Sequence, residues 1–199
     1  MKKLSSVLVL VLFSGISLLA QDVEARLTAA KSAYQSGNLE GARFELQEAL
    51  NEINQVIGKE ILGLLPTEMG TMPVNMEGDE VTGTAVGYAG LYVTREYAGE
   101  GQHASVMIVS DSPMLAGINT LLAMPAFVSS DENQKRVKVD NYKALLTRDT
   151  SDEGVTSYDI QVPANNLLLT FSCTGIDDEN EVVGLANTIP MDQVIKLAQ

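Results

Sequence analysis

The sequence predicts an α+β protein: an antiparallel sheet of about five to seven strands covered by helices, preceded by an α-helical hairpin. Three observations carry that expectation. Between Asp22 and Ile57 the apolar residues recur at helical spacing; from about Leu91 onward short alternating segments are divided by tight turns; and few helical stretches separate those segments. Strands that follow one another through short turns pair antiparallel, whereas each parallel pairing needs a crossover.

At the N-terminus, Lys2 and Lys3 precede an apolar stretch from Leu4 to Leu12 and a small-residue close at Ser17 to Ala20, with no acidic residue before Asp22. That is the layout of a cleavable signal peptide over residues 1–20. The run is broken by Ser14, Gly15 and Ser17, and falls short of the ~20 apolar residues that a spanning helix needs. No cysteine stands near the cleavage site, so lipid attachment there is excluded. The expected location is periplasmic or extracellular, without membrane insertion after cleavage.

The hairpin is expected over 22–58. Val23, Leu27, Ala30 and Tyr34 mark its first helix, Gly37-Asn38 the turn, and Leu39, Ala42, Leu46, Ala49, Leu50, Ile53 and Val56 one face of a second helix ending near Ile57. Gly63, Pro66, Gly70 and Pro73 punctuate a connector over 59–78. The α+β domain follows over 79–199. Its strands are expected at Leu91 to Arg95, Val106 to Ser110, Arg136 to Val139, Tyr142 to Thr147, Thr156 to Val162 and Leu167 to Cys173. A helix capped by Asp111 or Ser112 and opened by Pro113 carries Met114, Leu115, Ile118, Leu121 and Leu122. Two closing helices run from Asp178 to Ile189 and from Pro190 to Ala198, with Asp178 and Glu181 spaced as a capping box.

Two resemblances stand on particular residues. Ala33-Tyr34, Gly37-Asn38-Leu39, Ala42, Leu46 and Ala49-Leu50 resemble one tetratricopeptide repeat, in which small residues let two antiparallel helices approach closely. A single copy cannot build the groove of a solenoid, so packing or self-association is implied before peptide binding. Further on, Leu64-Leu65-Pro66, Thr94-Arg95-Glu96-Tyr97 and the run from Val106 to Met114, ending Asp-Ser-Pro-Met, resemble a family of exported bacterial proteins of unknown function. That family is similar in layout to PsbP-like domains, small antiparallel sheets backed by helices; the resemblance implies a domain boundary near Glu60 and no particular chemistry.

Charge narrows the partners. The chain has 13 basic and 26 acidic residues, and loss of Lys2 and Lys3 with the leader leaves 11 against 26, a formal charge of −15. A field of that sign repels nucleic acid and anionic headgroups. The expected partner is another envelope protein, with oligomeric state undetermined. No phosphate loop, dinucleotide fingerprint or metalloprotease motif is present, and no cofactor is expected.

Four constellations could carry chemistry. Met69, Met72 and Met76 are soft thioether donors suited to copper(I), although methionine also fills gaps in cores. Asp111 and Ser112 form a strand-to-helix turn that, with the sole histidine His103 as base, would furnish a serine hydrolase; no Gly-x-Ser-x-Gly elbow accompanies them, and Ser112 also reads as a helix cap. The acidic clusters Asp149, Asp152, Glu153 and Asp177, Asp178, Glu179, Glu181 could attract calcium, but neither has the ligand order of a calcium loop. Cys173, the one cysteine, lies in an apolar run with no basic neighbour, which is the setting of an inert buried thiol. The leading expectation is a non-enzymatic protein-interaction module; the alternatives are a small-ligand or metal-binding module using copper or calcium, and a hydrolase using Ser112 and His103.

Overall fold

A computed structural model describes residues 14–85, 88–124, 132–152 and 154–198. The chain is α+β and divides into two compact units, residues 1–56 and 57–199.

The first unit is a helix pair. Helix α1 spans Ser14–Gln35, and α2 starts at Leu39. Residues 14–20, expected in the signal peptide, form the start of α1, while 1–13 lie outside the described residues. Gly37 ends α1 at φ 81°, a left-handed conformation that costs glycine little, and the Asn38 N–H donates to Ala33 O at 2.9 Å. The Asn38 side chain then caps α2 by accepting from Gly41 N at 2.9 Å. Ala30, Ala42 and Ala49 are buried where the helices meet. Beside them, Arg26 bridges Glu45 at 3.1 Å, Glu48 at 3.8 Å and Glu52 at 3.2 Å.

Helix α2 continues to Leu64, past the end expected at Ile57. Gly63 costs a helix only about 1 kcal/mol. Burial of Ile61 and Leu65 outweighs that cost. Residues 59–78, expected as a connector, hold the end of α2, strand β1 (Glu68–Met69) and the start of β2 (Met72–Ala85). At Gly58 a Cβ would collide with the Val81 side chain and come within 3.2 Å of Leu91, so glycine is what lets this part of α2 approach the sheet.

The second unit is an eight-stranded antiparallel sheet. Its remaining strands are β3 (Tyr88–Gly99), β4 (Gln102–Ser110), β5 (Gln134–Val139), β6 (Tyr142–Thr150), β7 (Thr156–Ala164) and β8 (Leu167–Thr174). Their order is β1-β2-β3-β4-β8-β7-β6-β5. Two meanders are therefore joined at the centre by β4 and β8, which pair without interruption from His103↔Thr174 to Ser110↔Leu167. The turns Asp140-Asn141 and Asn165-Asn166 place Asp140 at φ 53° and Asn165 at φ 54°, the left-handed backbone that two-residue hairpins demand and Asn and Asp tolerate.

Alternation puts Val106, Ile108, Tyr158, Ile160, Leu169 and Phe171 on one face of the sheet. Helices α4 (Glu179–Ala186) and α5 (Met191–Leu197) cover that face with Val182, Ala186, Met191 and Val194, making one continuous core. Asp178 caps α4, its carboxylate accepting from Asn180 N at 2.9 Å. On the opposite face, helix α3 (Leu115–Ala123) sets Ile118 and Leu122 against Leu145. Its start is displaced from the expected cap: Met114 occupies the N-cap position without a side-chain bond, and Ser112 Oγ accepts from Met114 N at 3.3 Å. Pro113 and Met114 form a turn ahead of the helix.

Candidate functional site

The three methionines do not share one environment. Met69 and Met72 face each other across the turn between β1 and β2 and are wholly buried in the core, while Met76 is 67% exposed farther along β2. The Met69 thioether already accepts from the Thr188 hydroxyl at 3.3 Å. Core packing accounts for the pair, and the copper reading loses its donor set.

The turn at Asp111 and Ser112 and the histidine are separated by the length of a strand. His103 lies at the start of β4, and Ser112 lies beyond its end. Seven residues of strand from His103 to Ser110 cover about 23 Å. A general base must come within hydrogen-bond reach of its nucleophile, so the hydrolase reading fails on geometry. Asp111 has a structural task instead. At φ 53° it donates its N–H to Asn166 O at 2.6 Å, while Asn166 Nδ2 donates to Asp111 Oδ1 at 3.3 Å. Next to it, buried Ser110 accepts from Leu91 N at 2.8 Å. The turn thus fastens the end of β4 to the β7–β8 hairpin and to β3.

The other segments behind the resemblance to exported proteins meet in the same way. Arg95, 7% exposed, donates to both carboxylate oxygens of Asp79, with Nε to Oδ1 at 2.9 Å and Nη2 to Oδ2 at 2.5 Å. Its Nη1 donates to Leu62 O at 2.8 Å and Leu65 O at 3.2 Å, capping the C-terminus of α2 where the helix dipole favours a cation. Asp79 reaches Arg95 because the β2–β3 register shifts between Asn75 and Glu80. The Tyr97 hydroxyl donates to Pro66 O at 2.9 Å, and burial pushes its pKa up to about 12. Leu64-Leu65-Pro66 and Thr94 to Tyr97 are therefore two halves of one latch.

Cys173 is 1% exposed, and burial pushes its thiol up to about 11. It packs in the core as a small apolar residue. In the acidic clusters, Asp178 caps α4 and Glu179 pairs with Lys135 at 2.5 Å; Glu153 lies outside the described residues. Among the described residues no three His, Cys, Asp or Glu side chains are gathered so as to hold a metal ion. The calcium reading therefore has no support in the geometry.

What remains is a surface of the first unit. The sequence pattern places Leu39, Ala42, Leu46, Ala49, Leu50, Ile53 and Val56 on one face, but the structure divides them. The alanines are buried against α1, while Leu39 (64%), Leu46 (48%), Leu50 (59%) and Ile53 (38%) are exposed. At 3.6 residues per turn the two stripes lie about 60° apart round the helix. On α1, Leu27 and Tyr34 are exposed at 49% and 69% and likewise follow buried Ala30 in the sense of the helix. Because the helices run antiparallel, both stripes fall on the same side of the hairpin. Arg26 and its three glutamates lie on the other side. Sequence reasoning missed this division because helical spacing marks an apolar sector and does not say which part of it the neighbouring helix occupies.

No family model and no curated protein match this chain. It is similar to the extracellular domain of PknH from Mycobacterium tuberculosis, at 14% identity and a TM-score of 0.31, over 65% of this chain and 81% of that one. A likeness of that degree carries no argument. Among the described residues, no helix is long and apolar enough to cross a membrane.

Proposed function

We propose that the chain is an exported, non-enzymatic protein-interaction module whose docking surface is the apolar side of the helix pair. One observation carries the reading: Leu27, Tyr34, Leu39, Leu46, Leu50 and Ile53 expose large apolar side chains together on one side. Their combined exposed area is roughly 600 Å², at the upper end of the largest patch on an ordinary monomer. Such surface remains in water at a free-energy cost that a protein partner would relieve. Export rests on the residue pattern of the first 20 positions and on the acidic balance of the remainder.

Site-specific photo-cross-linking in the native envelope tests the reading. A photoreactive residue at Leu50 is expected to give a discrete protein adduct. The same group at Phe44, 56% exposed and on another side of α2, is expected to give only background. Equal background at both positions would overturn the proposal.

A further inference from the structure

We infer that the occupant of the apolar side is a second copy of this chain, the two helix pairs closing face to face as a four-helix bundle. The inference rests on the interaction role proposed above and names its partner.

Area is the first argument. About 600 Å² from each copy removes about 1,200 Å² in total, the lower end of the range for specific, stable interfaces. Spacing is the second. Leu46, Leu50 and Ile53 follow one another by four and three residues, and Leu27 and Tyr34 lie one heptad apart. That alternation makes a seam along which helices pack at shallow angles, knobs into holes. A twofold axis presents each seam to its own copy, so one surface serves both sides of the interface.

Charge is the third. Glu24, Lys31 and Arg43, all exposed, follow next round the helices from the apolar side. Glu45, Glu48 and Glu52 are gathered round Arg26 on the other side. Two mature chains of formal charge −15 can therefore meet on a border that carries no excess of negative charge. Burial is the fourth. Within residues 22–56 the fully buried apolar side chains are Ala30, Ala42 and Ala49, so the contact between the two helices leaves their large apolar residues uncovered. Facing copies supply the leucine, isoleucine and tyrosine core that a bundle needs.

Sedimentation velocity on the chain as recovered from its host, up to about 0.1 mM, provides the test. The wild-type protein is expected to sediment as a dimer. Leu46→Glu with Leu50→Glu is expected to yield a monomer with unchanged far-ultraviolet circular dichroism, and Phe44→Glu to remain dimeric. Should the double variant lose helix, Leu50→Gln replaces it, with a dissociation constant at least tenfold weaker expected. A monomeric wild type, or Phe44→Glu dissociating as readily as the seam variants, overturns the inference. Mass spectrometry of the Leu50 adduct separates the two proposals. A cross-link to the same chain supports both, one to a different protein overturns the second-copy inference and leaves the interaction role standing, and none overturns both.

Discussion

The two units of this protein treat apolar residues in opposite ways. In the sheet unit, Tyr97, Phe171, Ile160, Leu169 and Met191 are all sealed from water, and alternation along each strand meets helices that complete the cover. In the helix pair, alanines are inside and the large side chains are outside. A sheet with α4 and α5 on it is a closed two-layer solution to burying a core. Two helices alone have only one line of contact, and small residues at that line bring the backbones close while leaving the larger residues beyond it. The buried core therefore belongs to the sheet unit, whereas the helix pair leaves large apolar side chains exposed.

Substitutions can break that contrast. The largest effect is expected for Phe171→Ala, which empties a fully buried site and should destabilise the sheet unit by about 3 to 5 kcal/mol in urea unfolding. Arg95→Ala should cost about 3 kcal/mol, because it leaves the Asp79 carboxylate and the Leu62 and Leu65 carbonyls without their shared donor. If Arg95→Ala were neutral, the latch would be an ornament on a core that needs no help.

Alkaline pH provides the next contrast. The Cys173 thiol lies at about 11 in the folded chain against an ordinary 9.0, so the native state holds its proton more tightly than the unfolded chain does. The resulting stability is complete below pH 9 and is lost as pH rises from about 9 through about 11, by about 2 to 3 kcal/mol. Thermal unfolding of the wild type and Cys173→Ala across that window should show the extra slope only with the thiol present; parallel curves would place the thiol in contact with water. Removing the α4 cap with Asp178→Ala should cost about 1 kcal/mol. Smallest of all, Leu50→Ala should change unfolding by less than about 0.5 kcal/mol in dilute monomer, since its side chain is already 59% exposed. A loss of several kcal/mol there would mean that Leu50 is core, and the contrast between the two units would collapse.

Much of the fold was legible from particular residues. Asp140-Asn141 was recognisable as a turn because few other residues accept the left-handed backbone it requires. The pairs β3–β4, β5–β6 and β7–β8 follow from alternation flanked by such turns. Strand β2 was not legible: Met72–Ala85 contains Glu77, Gly78, Asp79, Glu80 and Gly83, with no clean alternation, and it is a strand because β3 offers it a ladder. Its register shift is also what delivers Asp79 to Arg95, so the same irregularity that hid the strand built the latch. The candidate chemistry was less legible still. Met69, Met72 and Met76 are close in sequence, yet a tight turn sent two inward and left the third outside. Asp111, Ser112 and His103 belong to one strand and its exit, and an extended backbone keeps its ends apart.

By itself the sequence determined periods, turns and charge, because these depend on local backbone preference and on composition. It thereby determined an α+β class, a helix pair ahead of a sheet, and an acidic balance of charge. Only the tertiary structure decided that β4 and β8 join two meanders, that Arg95 ties α2 to the sheet through Asp79, and that the apolar sector of α2 is half contact and half open surface. The physical reason is that pairing and burial are properties of which neighbour arrives. Identical periodicity along a helix describes a leucine in a core and a leucine waiting for one.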